Sequence, residues 1–132
     1  MSEDILKDSW NVTGTASEEI VKKIKKDNGR FWAGDNISKY LDEGDKQKLI
    51  EELTPKFEAV LDSLVIDREN DPNSNDTGRR LAKMYINELM VGRYDPMPNA
   101  TAFPNQVEDG YKGMLVVRSE LKSMCSHHHQ PV

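Results

Sequence analysis

The chain has 132 residues, a length that suits one domain, and carries a formal net charge of −5 with 31% charged and 36% hydrophobic residues. The negative charge argues against nucleic acid as a partner, because phosphate binding needs basic surfaces, and no apolar run approaches the ~20 residues of a membrane span. The single cysteine excludes an internal disulfide, and the N-terminus lacks the pattern of a signal peptide. We therefore expect a cytoplasmic protein with no nucleic-acid partner and no membrane partner.

Residues 1–44 are predicted to form an N-terminal arm with short helices. Ser17 is a candidate N-cap, since two glutamates follow it where the helix dipole favours negative charge. A narrow apolar stripe after Ser17 indicates one amphipathic helix. This helix is expected to end before the turn signal at Asn28–Gly29.

A helical hairpin is predicted next. A long helix is expected to begin at Asp45, since apolar residues recur at close to a 3.6-residue spacing, with a kink or a restart at Pro55. After a polar loop, Thr77 is expected to cap a second helix that runs from Gly78 or Arg79 to about Met90 and is stopped by Gly92. Each helix has one apolar face, so the two are expected to pack together.

The C-terminal part is predicted to contain strand structure. Residues 93–110 are rich in proline and asparagine, which indicates an extended connection. From Lys112 the side chains alternate, so that Leu115, Val117 and Leu121 would share one face of a strand. Helices followed by strands indicate an α+β fold.

The last ten residues hold the only cysteine and all three histidines. The Cys-x-x-His spacing from Cys125 to His128 would let a thiolate and an imidazole reach one metal ion, and both groups suit zinc. The spacing by itself leaves two other readings open. One is a buried free cysteine beside surface histidines, and the other is the remnant of a purification tag.

Two segments together resemble GTP cyclohydrolase I. Residues 76–85 read Asp-Thr-Gly-Arg-Arg-Leu-Ala-Lys-Met-Tyr and are similar to the Asp-Thr-Pro-x-Arg-x-Ala-Lys-Met-Tyr helix of that family. Residues 123–131 resemble its Cys-Glu-His-His zinc motif, with the following proline. Gly78 stands where the family has proline, and Ser126 stands where it has glutamate. The resemblance covers residues 45–132.

This resemblance implies a tunnelling fold, in which N-terminal helices precede the first strands of an antiparallel sheet, and a homo-oligomer of two stacked five-membered rings. It implies a hydrolase that uses Zn²⁺ to convert GTP into formate and 7,8-dihydroneopterin triphosphate, in pterin and folate-type biosynthesis. By position, Cys125 and His128 match two zinc ligands, and His127 matches a histidine that transfers protons near the substrate.

The resemblance also implies that the third zinc ligand and most GTP-binding residues lie downstream of Val132. Residues 45–132 are therefore interpreted as a helical hairpin with the first strands of the domain, its C-terminal half being absent, and the chain by itself is expected to be inactive. Two other hypotheses stay open. The first is that the chain is a small helical interaction module with incidental metal binding. The second is that it is another pterin-acting tunnelling-fold enzyme that holds zinc by histidines only.

Overall fold

The computed structural model describes residues 14–104, 110 and 112–132, so residues 1–13 of the predicted arm lie outside the described part of the chain. The described residues divide into two compact units at the junction between Pro96 and Met97. The predicted boundary between residues 44 and 45 stays a prediction. No helix among the described residues is both long enough and apolar enough to cross a membrane.

Helix α1 comprises Ala16–Lys26 and confirms the predicted N-terminal helix. Its N-cap is Thr15 and not Ser17, because the Thr15 hydroxyl oxygen accepts a hydrogen bond from the Glu18 backbone N–H at 3.3 Å. The Ser17 backbone N–H instead donates to Glu52 Oε1 at 3.1 Å. The start of α1 is therefore tied to the next helix along the chain.

Helix α2 comprises Asp45–Ser63 and runs without interruption through Pro55. The expected restart at this proline is wrong. Proline lacks the N–H that would bond the carbonyl one turn earlier, and the neighbouring Thr54 hydroxyl donates to the Ile50 carbonyl at 2.7 Å. Tertiary packing on both sides of Pro55 keeps the helix continuous, since Leu49, Ile50 and Leu61 are all buried.

Helix α3 comprises Thr77–Met84 and passes directly into a π-helical segment, Tyr85–Leu89. A short helix α4, Val91–Tyr94, follows. The second predicted helix is confirmed up to about Met90, where the π-helical segment ends. Its predicted N-cap, Thr77, is instead the first residue of α3, and Asp76 is the N-cap. Gly92 does not stop helical structure, because it lies inside α4.

The hydrophobic core lies where α1, α2 and α3 meet. Two of its members, Ile24 and Ile86, are almost completely buried. The Phe57 and Tyr85 rings stack at the edge of this core, with 5.2 Å between their centroids. The other buried members of the cluster come from all three helices and the loop after α1: Ile20, Ile37, Leu49, Ile50 and Ala82.

Arg93 holds the loop that follows α1. Its guanidinium donates to the Trp32 carbonyl at 2.6 Å and to the Asp35 carbonyl at 3.0 Å. The Asp35 carboxylate in turn accepts two hydrogen bonds from Arg30, at 2.6 and 2.8 Å. These hydrogen bonds from Arg30 lower the pKa of Asp35 below its ordinary value. The sequence pattern had not singled out Arg93.

The predicted α+β tunnelling fold is wrong for the part of the chain that the structure describes, which is helical and has no sheet. Residues 112–123 form no strand in the structure, and Leu115 and Leu121 are 81% and 87% exposed. Alternation of side chains requires only an extended backbone. A strand also requires a second segment that pairs with it in a ladder, and no such ladder forms among the described residues.

Candidate functional site

Residues 123–132 close on themselves in a turn, which we call the cysteine–histidine turn. The Cys125 N–H donates to the Gln130 carbonyl at 2.9 Å, and the Val132 N–H donates to the Ser123 carbonyl at 2.9 Å. Between these bonds, Met124 and Pro131 face each other in an isolated antiparallel bridge. This is a non-hydrogen-bonded pair, so proline at position 131 loses no hydrogen bond by lacking an N–H.

The tip of the turn is closed by His129. Its N–H donates to the Cys125 carbonyl at 2.8 Å, a bond between residues four apart that is typical of a single helical turn. His129 then adopts a φ of +55°, in the left-handed region, which reverses the chain towards Gln130. This reversal keeps the three intervening residues on a short, exposed loop.

The turn brings a thiol and an imidazole into contact. Cys125 Sγ lies 3.5 Å from His127 Nδ1, and Cys125 is half-buried while the histidine rings are exposed. The contact described for the thiol is thus with the residue two positions on, whereas the sequence predicted a pair with His128, three positions on. The assignment of Cys125 and His128 as metal ligands and of His127 as a catalytic residue stays a prediction.

A thiol and an imidazole are suitable ligands for zinc, which takes three protein ligands in catalytic sites and four in structural ones. Within residues 14–104, 110 and 112–132, no three Cys, His, Asp or Glu side chains come together in a group able to hold a metal ion. The described residues therefore provide two donors of the right chemistry but not a complete site. For this reason we derive no reaction step through a metal ion.

The second motif lies on α3, with its basic residues pointing to solvent. Arg79, Arg80 and Lys83 are exposed, and Arg80 Nε lies 3.7 Å from the Asp76 carboxylate, one turn away. A solvated helix face explains these positions. The opposite face of the same motif carries Ala82, which is fully buried in the core.

The polar loop between α2 and α3 satisfies its own carboxylates. Asp67 accepts hydrogen bonds from the Asn70 side chain at 2.9 Å and from the Asn70 N–H at 3.1 Å, while Asp71 accepts one from the Ser74 hydroxyl at 2.6 Å. These bonds lower the pKa of both carboxyls below the ordinary value. The geometry is that of local turns, which accounts for the acidic residues without a bound cation.

Comparison with known proteins agrees with the two motifs. The chain is 33% identical over 86 residues to a protein named GTP cyclohydrolase 1 from Aeromonas hydrophila subsp. hydrophila, a match that covers 64% of this chain and 38% of the relative. It is 32% identical over 84 residues to the protein of the same name from Aeromonas salmonicida, covering 62% of this chain and 37% of the relative. It is 40% identical over 60 residues to the one from Shewanella denitrificans, covering 44% and 27%.

No protein-family model matches the chain, and no solved structure gives a significant match. The chain spans little more than a third of the length of the Aeromonas relatives. Within that span it is similar to a class of hydrolases, and the similarity is partial. The sequence is GTP cyclohydrolase I-like over the matched part, which confirms the resemblance that the two motifs indicate.

Proposed function

We propose that the chain acts in a GTP cyclohydrolase of type I, which hydrolyses GTP to formate and 7,8-dihydroneopterin triphosphate. One water is consumed, the carbon between the two imidazole nitrogens of guanine leaves as formate, and the remaining atoms form the pterin. The observation that carries the proposal is the partial match to three relatives named GTP cyclohydrolase 1. The close approach of a thiol and an imidazole in one turn is consistent with it.

In this proposal Zn²⁺ is the cofactor, Cys125 and His128 are two of its ligands, and His127 transfers protons. This division of roles rests on the resemblance of the motif. Zinc, when bound in such a site, makes hydroxide available at neutral pH by lowering the pKa of bound water towards ~7. For His128 to be a ligand together with Cys125, a nitrogen of its ring has to come within about 3.6 Å of the Cys125 sulfur, the separation of two such donors around a tetrahedral zinc ion.

The further properties of the proposal follow from the same resemblance. GTP is the substrate, the product enters pterin and folate-type biosynthesis, and the protein assembles as a homo-oligomer in the cytoplasm. An exposed imidazole such as that of His127 suits the proton-transfer role, because imidazole can both accept and donate a proton.

The test is an activity assay on the gene product at its native length. The protein is incubated with GTP and zinc, and the release of formate and of a fluorescent pterin is followed. We expect both products, and we expect Cys125→Ser to lower kcat/KM by about 100-fold or more, because the lost ligand removes several kcal/mol of stabilisation.

Ser119→Ala is the matched control, since Ser119 is exposed and lies outside the cysteine–histidine turn. It should leave the rate unchanged. The proposal is overturned if no formate is released, or if Cys125→Ser is as active as Ser119→Ala. Absence of formate together with an intact helical fold would instead favour a small helical interaction module.

A further inference from the structure

Residues 28–32, in the loop after α1, line a cavity that belongs to neither of the two motifs. Its volume is about 370 Å³, within the usual range of small-molecule sites. The lining combines a side-chain amide, a guanidinium and two aromatic rings, which come from Asn28, Arg30, Phe31 and Trp32. Flat rings beside a few polar groups suit a planar ligand with a polar edge.

Trp32 presents its ring to solvent. The residue is 69% exposed, although tryptophan is highly buried on average. The Arg30 guanidinium lies over the indole, with Cζ 4.2 Å from the ring centroid. Because a guanidinium covers at most one face of the ring, this exposed fraction leaves aromatic surface on which a second flat ring can stack.

Two sets of hydrogen bonds hold the backbone that carries this ring. The Trp32 N–H donates to the Asp35 carboxylate at 2.8 Å, and the same carboxylate accepts two hydrogen bonds from Arg30. The Arg93 guanidinium donates to the Trp32 carbonyl at 2.6 Å and to the Phe31 carbonyl at 3.3 Å. A loop that is held in place before a ligand arrives loses little conformational entropy on binding, which favours the complex.

Asn28 contributes an unused amide to the cavity. Its backbone is explained by the end of α1: φ is +52°, its N–H donates to the Lys25 carbonyl at 3.1 Å, and the Gly29 N–H donates to the Ile24 carbonyl at 2.9 Å. Its side chain makes no hydrogen bond to any residue that the structure describes. An asparagine amide offers a donor and an acceptor side by side, the pair that matches N7 and N6 of adenine.

Two cations lie beside the cavity in the last turn of α1. Lys23 pairs with Asp42 at 2.6 Å, whereas Lys25 and Lys26 are exposed and form no ion pair with a described residue. The helix dipole favours cations at this end of a helix. Since no described carboxylate pairs with them, both ammonium groups stay available to an anionic group on a ligand.

We propose that residues 28–32 form a binding site for an adenine nucleoside or nucleotide. The base stacks on the indole of Trp32, its N6–N7 edge pairs with the Asn28 amide, and Lys25 and Lys26 attract the phosphates of a nucleotide. This inference goes beyond the proposed function, which concerns a guanine nucleotide and the cysteine–histidine turn.

The first experiment follows the fluorescence of Trp32. The chain has two tryptophans, so Trp10→Phe leaves Trp32 as the only indole. Adenosine should quench it with a Kd on the order of 0.1 mM, as the usual affinity per ligand atom gives for a molecule of this size. Guanosine should bind about 5-fold or more weakly, because its O6 and N7 are both acceptors and only one of them matches the amide.

Two results of this titration would overturn the proposal. One is the absence of saturable quenching by adenosine at about ten times the expected Kd. The other is equal binding of adenosine and guanosine. Calorimetry with the parent chain checks that Trp10→Phe leaves the adenosine affinity unchanged.

The second experiment compares variants by calorimetry with adenosine. Trp32→Ala should weaken binding by about 5-fold to 100-fold, the loss typical of one stacked base, whereas Trp32→Phe keeps a ring and should retain most of the affinity. Asn28→Gly removes the amide and still permits the left-handed backbone, so it should abolish the preference for adenosine over guanosine. Unchanged affinity in Trp32→Ala, or unchanged preference in Asn28→Gly, would contradict the proposed contacts.

ATP and adenosine distinguish the two sources of the base. Tighter binding of ATP that the double variant Lys25→Gln/Lys26→Gln reduces to the level of adenosine assigns a nucleotide, and equal affinities in the parent assign a nucleoside. The double variant Arg79→Gln/Lys83→Gln is the matched control, because it removes two exposed cations from α3, and it should leave both affinities unchanged.

Two readouts keep this inference separate from the proposed function. The helical circular dichroism of each variant should equal that of the parent, so that a loss of binding is not a loss of fold. Adenosine binding without formate release from GTP supports this inference and contradicts only the proposed function. Formate release by a protein that does not bind adenosine supports the proposed function and overturns this inference.

Discussion

The two compact units of the chain use their apolar residues in opposite ways. In the helical unit, eight hydrophobic residues are buried among the described residues 14–96, including Ile24 and Ile86. In the described residues from Met97 onward, large apolar side chains such as Leu115 and Leu121 are exposed. The difference lies in the backbone. A helix satisfies its own N–H and C=O groups, so three short helices can bury a shared face, whereas an extended segment needs a partner for its backbone first.

The largest expected effect separates the two units directly. Ile86→Ala should lower the free energy of unfolding by about 2–5 kcal/mol, because it leaves a cavity in the buried cluster that also contains Ala82 and Ile24. Leu121→Ala should change it by less than about 0.5 kcal/mol, since this side chain is 87% exposed. Urea unfolding followed by helical circular dichroism measures both.

Equal losses for Ile86→Ala and Leu121→Ala would contradict the comparison. Such a result would mean that the extended segment contributes to the same cooperative unfolding transition as the helices. A small loss for both would mean instead that the helical core tolerates a cavity at position 86.

A smaller effect is expected where α2 and α3 touch. A Cβ at Gly78 would lie 2.6 Å from Glu58 Cγ and 3.1 Å from the Thr54 carbonyl oxygen, so Gly78→Ala should cost about 1–3 kcal/mol of unfolding free energy. Gly92→Ala is the matched control, because nothing lies within 4 Å of its added Cβ, and it should be neutral or stabilise slightly. Thermal unfolding of the two variants gives the comparison, and a Gly78→Ala protein as stable as Gly92→Ala would exclude a close helix contact at this position.

The smallest effect concerns the link between α1 and α2, and it depends on pH. Burial raises the pKa of the Glu52 carboxyl, but hydrogen bonds from Ser17 and the charge of Lys56 outweigh it, so this pKa lies below its ordinary value. A lowered folded-state pKa adds stability that is present above the unfolded pKa of about 4.3 and is lost as the pH falls through the folded value.

Glu52→Gln should therefore cost about 1 kcal/mol near pH 7, and the cost should shrink once the pH falls below the unfolded pKa of about 4.3 and through the lower folded-state pKa. Glu43→Gln, at an exposed position, should show little change at either pH. Chemical unfolding at several pH values measures the two differences. A Glu52→Gln loss that does not shrink at any pH below about 4.3 at which the protein stays folded would show that the charge of the carboxylate is not what stabilises the helix start.

Local pattern was sufficient to find the helices. The apolar spacing correctly predicted the helix that begins at Asp45 and a second helix that extends to about Met90, although Thr77, the predicted cap, is the first residue of α3. The details that failed depend on contacts between distant residues. Ser17 is not the N-cap, because Thr15 caps α1 and Ser17 lies inside the helix, where its N–H binds Glu52, thirty-five positions away. Pro55 did not break its helix because packing on both sides holds it.

For the candidate site, the residue types indicated a thiol–imidazole site, and the order of the motifs indicated a GTP cyclohydrolase I-like chain. The comparison with relatives agrees with the GTP cyclohydrolase I-like sequence. Spacing could not decide which imidazole meets the thiol. That depends on the left-handed conformation of His129 and on the hydrogen bonds that close the turn.

The sequence alone determined where this chain is helical, how acidic it is, and that its one cysteine lies within four residues of all its histidines. Periodicity and residue identity are local properties, so they can be read without a structure. Only the tertiary structure decided that Gly78 permits α2 and α3 to approach closely. It also decided that residues 112–123 form no ladder with the other described residues, and that the imidazole beside Cys125 belongs to His127. Each of these depends on which atoms the folded backbone brings within a few ångströms, and no single stretch of sequence contains that information.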